Sequence, residues 1–384
     1  MSPPDIDSIP QGALAPAALL EPAPDDLVIY VLSVGDGDAL VLQFPREGDS
    51  REFGVIDSND GGKTLALLAT LGAERLRLVC GTHPHIDHIR GLRDILRKFN
   101  KKVGEYWDSG FRFTSNTFHD LLTEVETQAV RFIRPTSGYE TYVNGARLTV
   151  LSPSIALRNR YDSYGVDVNN ASIVVKVEYP SQGAVADARR TASAAGQPEG
   201  EPDLKPRSVI LGGDAQTDAW SKVLEEFPHL DKSEENWARL IKARQGRQPL
   251  FCDVLKVSHH ASKHGINLEL VERMGDASGD GRTNGPKYLI NSCDADSTHG
   301  FPHMVAQEIM REVRQPVAKS GAQRKRDHEL GIHYTAQKID TGGQPADAGS
   351  VAIVLHKNGS PPDLYRLCDA AKAEVDLARA RRVK

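Results

Sequence analysis

The stretch Leu76–Gly91, LRLVCGTHPHIDHIRG, decides how the rest of the chain is read. Leu76–Cys80 has the apolar, branched character of a buried strand. Immediately after it, His83, His85, Asp87 and His88 fall within six residues. Pro84 holds His83 extended, and side chains two apart on an extended chain point the same way, so His83 and His85 can share one metal ion. Asp87 and His88 then turn towards a neighbouring ion. Imidazole nitrogen and carboxylate oxygen are the donor set of a hydrolytic Zn, Mn or Fe site, and no thiolate is required.

Outward from this loop, strand-like and helix-like segments alternate. ALVLQF and FGVIDS precede a helical KTLALLATLG before the metal loop, and later SVILGGD, a helical AQTDAWSKVLEEF and DVLKVSHH repeat the order. This is an α/β signature built as a pseudo-repeat. Asp57 ends one strand and Asp214 the corresponding one, while His83 and His259 each follow the next. Ligands collect at strand ends on one edge of such sheets, so both polar sets are expected to meet. Further strands are expected in LVIYVLSV, KYLINS, HYTAQKID and SVAIVLHK, with a helix from about Pro302 to Val313. Residues 1–26, rich in Pro and Ala, read as a mobile tail, and Ser181–Arg207 as a disordered hairpin insertion. That leaves residues 27–357 as the folded domain. Residues 358–384, containing LYRLCDAAKAEVDLARARR, read as a helical surface tail.

Composition narrows the function classes. With 47 Lys and Arg against 52 Asp and Glu the formal charge is −5, so the chain does not coat nucleic acid by bulk electrostatics. No apolar run approaches the ~18 residues of a membrane span, and the acid- and proline-bearing start lacks a secretory pattern. Cys80, Cys252, Cys293 and Cys368 form no CxxC pair and read as reduced core thiols. A cytoplasmic location is expected, without membrane contact.

The runs SVGDGDALVL, VIDS, THPHIDH, VLSP, NNASIVV, ILGGDA and DVLKVSHHAS, in this order, resemble the hydrolase domain of ComEC-type competence proteins within the metallo-β-lactamase superfamily. The resemblance covers roughly Leu27 to Lys357. It implies an α/β fold, an αββα sandwich of two mixed β-sheets flanked by helices, with two divalent metal ions, Zn or Mn, at one edge. His83 and His85 would bind one ion, Asp87 and His88 the other, and Asp214 would bridge both. One of His259 and His260 would complete the second ion's shell. Neighbouring residues past a strand alternate faces, so only one is expected to point inward, and His260 is the favoured ligand. His259 would then hydrogen bond an oxyanion, pass a proton, or pack under the site. Asp57 would orient the histidine loop by hydrogen bonds.

The commonest superfamily pattern places another ligand His between the metal loop and the bridging Asp. Here the interval holds only His119, in FTSNTFHDLLTEV, which reads as a structural residue near a helix start. Asn169, Asn170 and Ser172 occupy the matching place, and Asn170 is expected either to approach the first ion or the substrate or to cap a turn. Ser262 remains in HHAS, where Ala261 replaces the Gly of the family's HHGS. His299 and His303 in STHGFPH are candidate substrate contacts with Asn170 and Ser262.

The implied reaction is hydrolysis of a phosphodiester, in DNA or RNA, by hydroxide held between the ions, with Asp87, Asp214 and His259 as the catalytic set. Arg90, Arg93, Arg97, Lys98, Lys101 and Lys102 either track a phosphate backbone or form a solvated helix face. Tyr106, Trp107, Phe111 and Phe113 either stack unpaired bases or pack in the core. Two rival readings stand beside the nuclease. One is hydrolysis of a small molecule such as a lactone, a cyclic nucleotide or a phosphocholine ester. The other is a metal-stabilised binding module without turnover.

Overall fold

The first strand, β1 (Leu27–Val31), is buried along its whole length because its two faces meet different layers. Leu27, Ile29 and Val31 enter one apolar cluster, whereas Val28 and Tyr30 enter another. Successive side chains on a strand point to opposite faces, so an unbroken apolar run marks a strand covered on both sides. The computed structural model describes residues 23–164, 167–194, 205–230, 235–236, 238–239, 247–275, 285–294, 297–315, 325–335, 349–367, 369, 374–375 and 377–383.

Among the described residues the strands form two mixed sheets. The first contains β1, β2 (Ala39–Glu47), β3 (Ser50–Ser58), β4 (Leu76–Gly81), β5 (Val103–Asp108), β6 (Arg131–Ile133), β14 (Val351–Leu355), β15 (Asp363–Arg366) and β16 (Arg381–Arg382), in the order β16-β15-β14-β1-β2-β3-β4-β5-β6. The second contains β7 (Glu140–Val143), β8 (Ala146–Ser152), β9 (Val174–Tyr179), β10 (Arg207–Leu211), β11 (Val254–Lys256), β12 (Tyr288–Asn291) and β13 (Ile332–Tyr334), in the order β13-β12-β11-β10-β9-β8-β7. Each sheet is antiparallel on one side and parallel on the other: β3 to β6 run parallel, as do β10 to β13.

Three apolar clusters set the layers. Ile29, Leu42, Ile56 and Leu78 of the first sheet meet Leu148, Val175, Val209 and Val254 of the second in the central layer. On the outer face of the first sheet lie Leu67, Ile95 and Leu121 from the helices Gly61–Thr70, Leu92–Lys98 and Asn116–Thr127. Trp220, Val271 and Met310 cover the second sheet from the helices Thr217–Glu226, Leu268–Arg273 and Met304–Arg314. Two sheets face to face with helices outside are the expected αββα sandwich. Each fully buried Leu, Val, Ile or Phe contributes ~1.5–3 kcal/mol, so the three clusters hold the layers together. No described helix is long and apolar enough to cross a membrane.

Two expectations about the chain's outlying segments need correction. Within the stretch read as disordered, Gln182–Ala194 form a helix whose start is capped by Ser181 Oγ accepting from the Ala184 amide at 3.2 Å; residues 195–204 lie outside the described residues. The C-terminal stretch read as a helix instead contains β15, a 3₁₀ turn at Leu377–Arg379 and β16. Its apolar positions are compatible with either structure, but β14 offers an unpaired edge and β15 takes it. Asp369 then locks the segment in place, since its buried carboxylate lies 3.0 Å from Lys63 Nζ and accepts from the Ser350 amide and hydroxyl. Of the expected N-terminal tail, residues 1–22 lie outside the described residues, as does Cys368.

Candidate metal centre

The site is assembled where parallel strands of both sheets end. β4 delivers the loop Thr82–His88, and β11 delivers Ser258–Ser262, while Asp214 follows β10 between them. His85 precedes the single helical turn Ile86–Ile89, which rotates Asp87 and His88 away from the extended segment.

Asp214 is 2% exposed, and its two carboxylate oxygens face different partners. Oδ1 lies 3.2 Å from His88 Nε2 and 3.5 Å from His260 Nε2. Asp87 Oδ2 stands 3.6 Å from His88 Nε2 and 3.7 Å from His260 Nε2, so these four residues surround one point. Oδ2 of Asp214 lies 3.8 Å from His83 Nε2, which is itself 3.0 Å from His85 Nδ1. His259 Nε2 also lies 3.8 Å from Asp214 Oδ2. All six residues read as ligands are therefore neighbours, and Asp214 stands between two groups.

The outer ring nitrogens show which atoms face inward. His260 Nδ1 lies 3.1 Å from the Ser292 carbonyl, which only accepts, so Nδ1 carries a hydrogen and neutral His260 presents its Nε2 lone pair. His88 Nδ1 meets Asp57 Oδ2 at 2.7 Å and does the same. The Thr82 hydroxyl donates to Asp57 at 2.6 Å, leaving its oxygen to accept from His83 Nδ1 at 3.2 Å. His88 Nε2, His260 Nε2 and Asp214 Oδ1 are buried yet lack the alignment of any hydrogen bond. A buried polar atom without a partner costs ~1–3 kcal/mol, and a divalent cation satisfies all three at once. The donor set fits Zn, Mn or Fe.

Electrostatics separate the imidazoles. Burial opposes charge on His88 and His260, but the Asp214 carboxylate, joined by Asp57 at His88 and by Asp87 at His260, outweighs it and raises both above the ordinary imidazole value. Burial pushes His83 well below that value and lowers His259. Burial alone would raise the Asp87 and Asp214 carboxyls, yet the surrounding imidazoles hold both below the usual range.

Two buried carboxylates support the loops from behind. Asp57 is fully buried and accepts from the Thr82 amide, the Thr82 hydroxyl and His88 Nδ1. Asp38 was not singled out in the sequence, although it lies in SVGDGDALVL. It forms a fully buried ion pair with Lys256 and accepts from Ser292 Oγ at 2.5 Å, and the same hydroxyl lies 3.1 Å from His260 Nδ1. A lysine inside the apolar strand DVLKV was the available signal.

Several expectations are revised here. His259 and His260 do not alternate faces: both occupy the left-handed region, with φ of 49° and 52°, followed by Ala261 at 60°. This turn aims both rings at Asp214. Asn170 does not face the site, because its Oδ1 accepts from the Ala219 amide at 3.0 Å and caps a helix; it is Ser172 that touches Asp214, accepting from its amide at 3.0 Å. Ser262 Oγ contacts His259 Nδ1 at 3.0 Å and so stands behind that ring. His303 caps the helix Met304–Arg314 by accepting from the Val305 amide at 3.2 Å. Only His299 keeps a place at the rim, exposed and stacked on Phe301, whose ring lies 5.4 Å from that of His259. His119 sits exposed on its helix. Tyr106, Trp107 and Phe111 are core residues, whereas Phe113 is half-buried, 5.4 Å from the His85 ring. Arg93 and Arg97 are bound to Asp120 and Glu124 of the neighbouring helix.

Residues 55–166 match the family described as the Metallo-beta-lactamase superfamily. Over that stretch the chain is similar to the metallo-beta-lactamase superfamily. The match includes the loop Thr82–His88 but ends before Asp214, His259 and His260. Among solved structures, a diphosphatase of the PhnP family is 12% identical over 80% of this chain and 94% of its own, with a TM-score of 0.35. CmlA, a diiron β-hydroxylase from Streptomyces venezuelae, is 12% identical over 81% of this chain, with a TM-score of 0.38; this chain spans 52% of its length. A long-form RNase Z from yeast is 9% identical over 73% of this chain and 38% of its own, with a TM-score of 0.32. No curated protein matches in sequence.

Proposed function

We propose that this protein is a metal-dependent phosphodiesterase acting on nucleic acid. The observation that carries the reading is the division of Asp214 between two donor groups, His83 with His85 on one oxygen and Asp87, His88 and His260 around the other. Two divalent ions, Zn or Mn, held there would supply positive charge against phosphoryl oxygens and a water acidic enough to attack near neutral pH. The chain's own part is orientation. Asp57 fixes His88 directly and His83 through Thr82, while Ser292 fixes His260. The Asp87 side chain is 32% exposed against 0–2% for His83, His88, Asp214 and His260, so a substrate phosphate enters beside Asp87. Phe113 flanks His85 and Phe301 covers His259 and His260, and such half-exposed rings suit the stacking of bases next to a bound phosphate. The same reading places the protein in the cytoplasm, where the buried thiols Cys80 and Cys252 stay reduced.

One observation favours a smaller substrate. Arg93 and Arg97 are already occupied by Asp120 and Glu124, so the basic helix next to the loop is partly neutralised. Such a helix attracts a polyanion less than the sequence alone implies. Elemental analysis combined with digestion of single-stranded DNA, duplex DNA and RNA tests both readings, using wild type, His85→Ala and Asp87→Ala. The expected outcome is two ions per chain, cleavage of at least one polymer, and loss of cleavage in both variants. Turnover of a lactone or a small phosphodiester with all three polymers intact overturns the nuclease. Retained metal with no turnover of any substrate leaves a binding module.

A further inference from the structure

We infer that the edge strand β6 and the arginines around it form a second substrate contact, a track that grips an unpaired nucleic-acid strand beyond the cleaved phosphate. The inference rests on the phosphodiesterase reading and identifies where a polyanion is held, since Asp120 and Glu124 already occupy Arg93 and Arg97.

β6 is the terminal strand of the first sheet, and no described strand pairs with its outer edge. Its residues interleave charge with aromatic surface. The Arg131 and Arg134 side chains are 71% and 60% exposed, Phe132 between them is 39% exposed, and the Arg134 guanidinium lies 5.1 Å from the centre of its ring. Charges keep a sheet edge from pairing with another chain, so edge protection accounts for the arginines. It does not account for an exposed Phe, which makes such an edge more adhesive. A ring and a guanidinium presented together suit an unpaired base on the one and its phosphate on the other.

The charge balance favours the same ligand. Glu105 is shared between Arg77 at 3.5 Å and Arg131 at 3.2 Å, and Asp108 lies 3.8 Å from Arg134, so with Arg158 four guanidinium groups face two carboxylates. The patch also leads to the metal centre. β4, β5 and β6 are parallel and end side by side, so the metal loop and the residues after β6 are separated by two strand spacings, about 10 Å. Between them, the loop after β5 turns at Gly110 with φ of 83°, where an added Cβ would lie 2.9 Å from Arg158 Nε and 3.4 Å from Arg134 Cδ. The same loop brings Phe113 to His85. His85, Phe113, the Arg134 and Arg158 pair and Phe132 thus form a connected series from the metal loop to the sheet edge.

The test separates long substrates from short ones. The metal-loaded full chain, the double variant Arg131→Gln/Arg134→Gln and Phe132→Ala are compared on a long single-stranded oligonucleotide, as DNA and as RNA, and on bis(p-nitrophenyl) phosphate, with kcat and KM measured over a range of salt. Both variants should keep wild-type kcat and KM on the small ester. On the long strand kcat should hold, while KM rises at least about fivefold in Phe132→Ala through the lost stacking of a base. The double variant should flatten the slope of log KM against log salt concentration by about 0.7 for each phosphate contact removed, about 1.4 in all. Circular dichroism confirms folding, and either variant carries the test if the other does not fold; in the double variant Glu105 keeps Arg77. Wild-type KM and salt slope on the long strand in the folded variants overturn the inference and leave the phosphodiesterase reading intact. An equal loss on the small ester also overturns it, because the residues would then act on the metal centre itself. A wild-type chain that cleaves the small ester and no polymer overturns the nucleic-acid reading, and the inference with it.

Discussion

The loops after β4 and β11 reach one carboxylate by different means. The first uses ordinary backbone: an extended His83–Pro84–His85 segment followed by one helical turn, with no left-handed residue from Thr82 to His88. The second packs His259 and His260 side by side through three left-handed residues. Their supports differ as well. Asp57 stands behind the first loop with an amide, a hydroxyl and an imidazole as partners, and burial raises its carboxyl despite His88. Asp38 stands behind the second, where burial is outweighed by the Lys256 ammonium and the carboxyl is lowered. The difference shows that a regular loop needs only a hydrogen-bonding anchor, whereas the strained one sits on a buried ion pair.

Breaking that pair is the severest test of the contrast. Lys256→Met leaves Asp38 charged and uncompensated in the interior, and should lower unfolding free energy by ~3–5 kcal/mol in a denaturant titration. Asp57→Ala removes the support of the first loop and should weaken metal binding by about 10- to 100-fold in a competition with a chelator. A stability loss as large as that of Lys256→Met would erase the distinction.

A smaller effect concerns protons. His88 and His260, one from each loop, are raised above the ordinary imidazole value, despite burial, by the Asp214 carboxylate, so each keeps its proton to higher pH than a free imidazole, and below the raised values an incoming ion must displace it. Affinity should therefore weaken as pH falls, by up to about tenfold per pH unit per proton, and level off above the raised values. Calorimetry in buffers of different ionisation enthalpy measures the release, with one proton fewer expected for His260→Ala and for His88→Ala. His83, pushed well below the ordinary value, is already neutral and should release none. The smallest effect is relief of strain: Ala261→Gly at φ 60° should raise stability by ~0.5–1 kcal/mol in thermal or denaturant unfolding. No gain, or a loss, would show that the left-handed turn of the second loop is not strained at this residue.

Much of the first loop was legible because its information is local. His83, His85, Asp87 and His88 lie two or fewer residues apart, and spacing on an extended chain followed by a turn predicts how they diverge. The second loop misled for the same reason: strand alternation applied to His259 and His260 predicts one inward ring, but the chain there is no longer a strand. Asn170 and His303 were similarly placed by proximity to site motifs, yet their polar atoms satisfy helix amides first. An unpaired amide at a helix start competes for any nearby acceptor.

What the sequence alone determined is the layered α/β architecture and the close grouping of His83, His85, Asp87 and His88 after β4, because apolar periodicity and short-range spacing act within a few residues. Tertiary structure decided which nitrogen of each ring faces inward, which buried carboxylate supports which loop, and that the C-terminal segment joins the first sheet as strands. These outcomes depend on partners far along the chain: Asp38 meets Lys256 across 218 positions, and Asp57 meets His88 across 31. An acceptor's role is set by the nearest donor in space once the interior excludes water, and no local pattern specifies that neighbour.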